Sequence, residues 1–159
     1  MNSVGFQEIV PGMDYPPTNH PSRYVFSVSS GRILQEYQLI YITEGKGRFC
    51  CESLGRSKLI PVNSGMMFLL FPGEWHCYYP EKSTGWKEYW IGFSGEFIDN
   101  LVSRGFFSKE APLFKVNIHE DIVGLYSSAI EAAVNQESGF QQVLAGIVGR
   151  LISLAYFYD

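Results

Sequence analysis

Trp86, Glu88 and Trp90 are spaced two apart, and they are the most chemically suggestive residues in the chain. In an extended strand alternate side chains share a face. The run Trp86–Phe93 (WKEYWIGF) therefore sets a carboxylate between two indoles on one side, and Lys87, Tyr89, Ile91 and Phe93 on the other. An unpaired carboxylate is costly to bury, so this face is expected to line a pocket or to meet water. Flat indole faces suit the C–H face of a sugar ring or another small planar ligand, and Glu88 supplies an acceptor beside them. Tyr78 offers a further aromatic face and shares one side of the preceding strand with His76. Arg32, directly after the Ser30-Gly31 turn, is the donor that would complement Glu88 on ligand hydroxyls. The candidate ligand-binding set is thus Arg32, His76, Tyr78, Trp86, Glu88 and Trp90. For His76, which follows a Pro72-Gly73-Glu74 turn, a structural role bonding the turn backbone is the competing reading.

Other chemistries find less support. The histidines are His20, His76 and His119, and no two have metal-ligand spacing on a strand or helix. Cys50, Cys51 and Cys77 include no zinc-type pair, and Cys77 would face away from His76. No bound metal or cofactor is expected. There is no G-x-S-x-G, and Glu74, Glu88 and Glu96 form no recognisable acid/base pair. Gly45-Lys46-Gly47 is too short for a phosphate loop. The constellation is one for binding, not catalysis.

Twelve Lys and Arg against sixteen Asp and Glu leave a net charge of −4, which disfavours nucleic-acid binding by this chain itself. No stretch reads as a membrane span or a signal peptide. The odd cysteine count, with two adjacent, fits a reducing cytoplasm better than a disulfide framework.

Residues 1–23 carry Pro11, Pro16, Pro17 and Pro21 and read as an extended arm without packed structure. Strands are expected at Tyr24–Ser30, Tyr37–Thr43, Arg48–Ser53, Lys58–Val62, Met66–Phe71, His76–Pro80 and Trp86–Phe93. Glu44–Gly47 reads as a hairpin connection, and Pro61 demotes its strand to an edge. Short strands with Gly-marked turns indicate an antiparallel sandwich or barrel over residues 24–95. Helical spacing begins after Ser94-Gly95, giving a region 96–159. A short helix spans Glu96–Arg104, and two longer ones open at Asn117 and Ser138, each with a capping box, Glu120 and Gln141 standing three places on. Phe140, Leu144, Ile147, Leu151, Leu154 and Tyr158 form a heptad seam on the last helix. It packs either on its own sheet or on a partner subunit, and is the candidate dimerisation surface. The chain is expected to be one part of a longer protein.

The runs YQLIYITEGKGRF, NSGMMFLLFPGEWHCYYP and GWKEYWIGFSG, over about residues 20–105, resemble the N-terminal sensor domain of AraC-type transcription regulators in order and spacing. The resemblance implies a cupin-like double-stranded β-barrel (jelly roll) followed by an antiparallel helix pair. It implies effector binding, often of a sugar, homodimerisation through the helices, and DNA contact only through a C-terminal helix-turn-helix domain beyond Asp159. The pocket positions of the family fall on Arg32, Tyr78, Glu88 and Trp90, with the proline-rich arm laid across the ligand. Gly65, Pro72, Gly73 and His76 echo the motif of metal-binding cupins at altered spacing, but the companion H-x-H is missing. A metal-dependent cupin enzyme acting on a small sugar-like substrate is the rival reading.

Overall fold

The computed structural model describes residues 1–17 and 30–159. Among these, the strands are β1 (Ser3–Ile9), β2 (Arg32–Ile33), β3 (Tyr37–Cys51), β4 (Ile60–Asn63), β5 (Met66–Leu70), β6 (Trp75–Pro80), β7 (Trp86–Phe93) and β8 (Leu113–Lys115). The helices are α1 (Glu96–Ser103), α2 (Glu120–Asn135) and α3 (Phe140–Tyr158). The predicted strand Tyr24–Ser30 lies outside the described residues except for Ser30.

The architecture turns on β3. Its first half pairs with β7 on one side and β5 on the other, and its second half pairs with β4 and β6. One strand thereby belongs to two antiparallel sheets, ordered β1-β7-β3-β5-β8 and β2-β6-β3-β4. The result is an open cupin-like jelly roll with helices on one face. The expected hairpin at Glu44–Gly47 does not form: the chain runs straight on, with a register shift between Ile42 and Glu44. Such a bulge bends a strand and increases its twist, and here it carries β3 from one sheet into the other.

The glycines that resemble a turn signal are required by close approach instead. A Cβ at Gly47 would stand 2.3 Å from the Tyr79 carbonyl oxygen and 2.5 Å from the Trp86 ring. Gly47→Ala is therefore expected to destabilise the fold by about 3 kcal/mol, because backbone cannot yield as a side chain can. Denaturant titration checks this, and an unchanged midpoint would mean the two strands separate freely.

Two cores result. The inner one fills the space between the sheets with Ile40, Ile42, Phe49, Phe68 and Trp86. The outer one joins Leu39, Tyr41, Met67, Leu69 and Ile91, from the opposite face of the first sheet, to Tyr126 on α2 and Leu144 and Leu151 on α3. This is the period-2 alternation of β3, β5 and β7 with both faces covered, which is why Met66–Leu70 is buried throughout. The Tyr126 hydroxyl, inside this packing, donates to the Leu39 carbonyl at 3.0 Å.

Four expectations are corrected. The arm is not free of packed structure, since Ser3–Ile9 adds to β7 as an antiparallel strand, with Gly5 opposite Trp90 and Gln7 opposite Glu88. Neither capping box forms: α2 starts from His119 and α3 from Gly139, neither with a side-chain cap. Asn117 sits instead at φ 64°, and its carbonyl accepts the Tyr41 hydroxyl at 2.8 Å. The heptad seam faces inward, with Leu144 and Leu151 fully buried and Ile147 and Leu154 nearly so. Phe140 and Tyr158 pack on the same cluster at its ends. Of the two alternatives, the seam packs on its own chain, with Phe140 and Tyr158 half-buried at its ends; the exposed large apolar residues of α3 are Val143, Tyr156 and Phe157. Finally, against the expectation of no membrane-length stretch, α3 is long and apolar enough to cross a membrane by length and composition alone. Its inward residues fill the outer core, which explains that composition.

Candidate functional site

The face carrying Trp86, Glu88 and Trp90 points between the sheets, as the strand alternation requires. Trp86 and Glu88 are 2% and 3% exposed, so the carboxylate lies in the interior and not at a wet rim. Trp90 is half-buried and lies over Gly5, where a Cβ would stand 2.3 Å from its ring. Strand β6 brings His76 and Tyr78 to the same interior, and the β2–β6 pairing sets Arg32 directly opposite His76.

These residues form two linked groups. In the first, Arg32 donates from Nε to His76 Nε2 at 3.2 Å and from its terminal nitrogen to the Tyr78 hydroxyl at 2.6 Å. His76 Nδ1 stands 3.1 Å from the Glu74 carbonyl. A carbonyl can only accept, so Nδ1 carries the proton and Nε2 accepts from Arg32. Burial pulls the His76 pKa down to about 3, and the Arg32 charge pulls the same way, so the ring is neutral. The competing structural reading of His76 thus describes one half of the ring: it is tied to its turn, and its other nitrogen fixes Arg32. Glu74 holds that turn in place, accepting 2.7 Å bonds from Ser53 N and Oγ and pairing with Lys109 at 3.3 Å.

The second group centres on Glu88. Its oxygens accept the Tyr15 hydroxyl at 3.3 and 3.2 Å. Burial lifts its pKa to about 7, opposed by the Tyr15 bond, the Arg32 charge and the nearby Trp86 N–H. That indole N–H does not reach hydrogen-bonding geometry and is buried without a partner. The Tyr15 ring meets Trp86 edge-on at 6.0 Å and Tyr78 at 6.2 Å. Tyr78 itself lies 6.2 Å from Trp86. Burial pushes the Tyr78 hydroxyl up to about 12, the Arg32 charge opposing, so it remains a neutral donor and acceptor.

Sequence reasoning missed Tyr15. The only signal was an aromatic residue in a proline-rich arm, which does not say where the ring goes. His20 lies outside the described residues. Among the described residues no group of three or more His, Cys, Asp or Glu gathers around one position that could hold a metal. The cysteines are buried; burial pushes the Cys77 thiol up to about 12, which leaves it a poor nucleophile.

Among the described residues, aromatic faces, the Arg32 guanidinium and the Glu88 carboxylate thus meet in the interior of a cupin-like roll that carries helices. Residues 20–155 match the family described as AraC-like ligand binding domain. The chain belongs to that family. It is 29% identical over 105 residues to the raffinose operon transcriptional regulatory protein of Pediococcus pentosaceus, a match over 64% of this chain and 37% of that protein. Two crystal structures of ToxT from Vibrio cholerae share the fold at 14% identity, with TM-scores of 0.55 and 0.52, each covering 98% of this chain and 57% of theirs. One holds (E)-4-(8-methylnaphthalen-1-yl)but-3-enoic acid. The chain therefore spans well under two thirds of the length of these relatives.

Proposed function

We propose that this domain senses a neutral sugar or related polyol, bound between the sheets, and reports it to a DNA-binding domain elsewhere in a longer cytoplasmic regulator. Glu88 carries the reading: a carboxylate kept inside an aromatic-rich interior, with a long tyrosine hydroxyl bond and, among the described residues, no ion pair, is a costly feature for packing alone. Arg32 and Tyr78 supply donors, Trp86 and Trp90 the flat faces, and His76 positions Arg32. The raffinose operon relative supports a saccharide over other small molecules. Ligand acts by binding one arrangement of the arm or helices better than another, which shifts the populations of the two. The homodimer implied by the resemblance would use the exposed face of α3 around Val143 and Phe157. DNA contact belongs to the other domain, and the family membership speaks against a metal-dependent enzyme.

Thermal-shift titration with raffinose, galactose and other neutral saccharides tests this. At least one is expected to raise Tm, because binding adds RT ln(1 + [L]/Kd) to stability, about 2.7 kcal/mol at a hundredfold excess over Kd. Glu88→Ala should remove the shift. A panel that leaves Tm unmoved throughout would overturn the saccharide reading.

A further inference from the structure

We propose that Cys50 and Cys77 are a reversible dithiol–disulfide site: an oxidant of the hydroperoxide class joins them across β3 and β6, and a thiol reductant parts them. The inference is independent of what the interior binds.

The register singles out this pair. Three cysteines allow three pairings. Cys50 and Cys51 are neighbours in one strand, where alternation turns their side chains to opposite faces. Cys51 stands opposite His76 and packs in the inner core with Phe49 and Tyr78. Cys50 stands directly opposite Cys77, and the two form a small buried cluster of their own on the other face of the same strands.

The spacing suits a bond. Directly opposed residues of an antiparallel pair have Cα atoms about 4.5–5.5 Å apart, inside the roughly 4.4–6.8 Å that a disulfide spans. Their Cβ atoms lie about 4.5–5.5 Å apart and must close to about 3.5–4.5 Å. The bond therefore forms without moving the strands far, yet under tension, and a strained disulfide is readily reduced.

The two sulfurs are unequal. Burial pushes both thiols up, that of Cys77 to about 12, so the resting pair is protonated and slow to react. Within that, Cys77 directs both its S–H and its backbone N–H at the Cys50 sulfur. Those donors favour the Cys50 thiolate and keep the remaining proton on Cys77. Cys50 is therefore the sulfur that meets the oxidant, and Cys77 the one that closes the bond.

The Cys50 thiolate attacks a peroxide oxygen and the O–O bond breaks. The departing hydroxide takes up the proton that Cys50 released and leaves as water, and Cys50 becomes a sulfenic acid. The Cys77 sulfur then attacks the Cys50 sulfur. The S–S bond forms, the S–O bond breaks, and the expelled hydroxide takes the Cys77 proton to leave as a second water. Two thiols have lost two electrons and two protons, and one peroxide has become two waters. Cys77 is a poor nucleophile in solution terms, but it is held against its target, and proximity offsets that.

The position of the bond ties it to the candidate site. His76 and Tyr78, which hold Arg32, flank Cys77 in β6 and stand opposite Cys51 and Phe49. A disulfide between those rows fixes the β3–β6 register beneath the Arg32 cluster.

The folded chain treated with millimolar hydrogen peroxide, quenched by alkylation and mapped by non-reducing peptide mass spectrometry, tests the site. The expected result is the loss of two hydrogen atoms, a single Cys50–Cys77 cross-link within one chain, and Cys51 left alkylated. Dithiothreitol should restore all three thiols, and the oxidised chain should melt about 5 °C higher than the reduced one. A cross-link that involves Cys51 or a second chain, sulfinic acid in place of a cross-link, unchanged thiols, or a lower melting point on oxidation overturns the proposal. Cys51→Ser should react as wild type does. In Cys77→Ser, whose hydroxyl still donates to Cys50, dimedone is expected to label Cys50, whereas in Cys50→Ser it should leave Cys77 unlabelled. Labelling in the reverse sense refutes the assigned roles, and the wild-type map decides the pairing even where a variant fails to fold.

Discussion

Glu88→Gln is expected to turn a level stretch of the stability–pH curve into a slope. Two buried groups set that curve from opposite sides. The Glu88 pKa is raised from an ordinary 4.5 to about 7, chiefly by burial. Its contribution to stability is therefore full below pH 4.5 and is lost as pH rises through 7. The His76 pKa is lowered from 6.5 to about 3, again chiefly by burial. Its contribution is full above 6.5 and is lost as pH falls towards 3.

Between pH 4.5 and 6.5 the folded state holds one extra proton on Glu88 and lacks one on His76, so the two slopes cancel. Removing the Glu88 proton leaves His76 alone, and stability should then rise with pH by about 1.4 kcal/mol per unit across that window. Above pH 7 the variant should exceed wild type by about 3 kcal/mol, because wild type must hold an ionised carboxylate in its interior. Urea denaturation of both proteins from pH 4.5 to 8.5 gives the difference curve, in which all other titrating groups drop out. Superimposable curves would show that Glu88 ionises as it does in water and that the interior is wet.

Leu151→Ala is expected to cost about 3 kcal/mol at any protein concentration. Leu151 is fully buried on α3 against the outer core, and truncating such a residue removes transfer energy and leaves a cavity. An interface residue behaves differently, since its loss weakens association and depends on concentration. Phe157→Ser makes the contrast: Phe157 is 76% exposed and should cost no more than about 0.5 kcal/mol in the monomer. If the loss in Leu151→Ala vanished at high concentration, the seam would belong to a subunit contact and the packing described above would be wrong.

Much of the candidate site's geometry was legible because strand alternation is a local property. Once Trp86–Phe93 is a strand, Trp86, Glu88 and Trp90 must share a face, and His76 and Tyr78 follow by the same rule on β6. Glu88 was expected to line a pocket or meet water, and it is buried in the interior. Which face was inward could be judged only from the discomfort of that carboxylate. The helices show the opposite case. A seam spaced for a coiled coil is equally spaced for packing on a sheet, and periodicity alone cannot separate a partner's surface from the chain's own. The capping boxes failed for a related reason: Asn117 and Gly139 adopt positive φ where the chain turns into each helix, and tertiary packing outranked the local preference.

The sequence by itself determined the antiparallel roll with trailing helices, the three-residue face on β7, and membership of a family of ligand-binding domains, since all three rest on residue type and short spacing. Only the tertiary structure decided that β3 passes unbroken through both sheets and that the heptad seam is core. It alone decided that Tyr15, 73 positions from Glu88 in the chain, reaches its carboxylate. Those outcomes depend on which distant surfaces are brought together, and a linear pattern carries no information about that until burial chooses among surfaces that are locally equivalent.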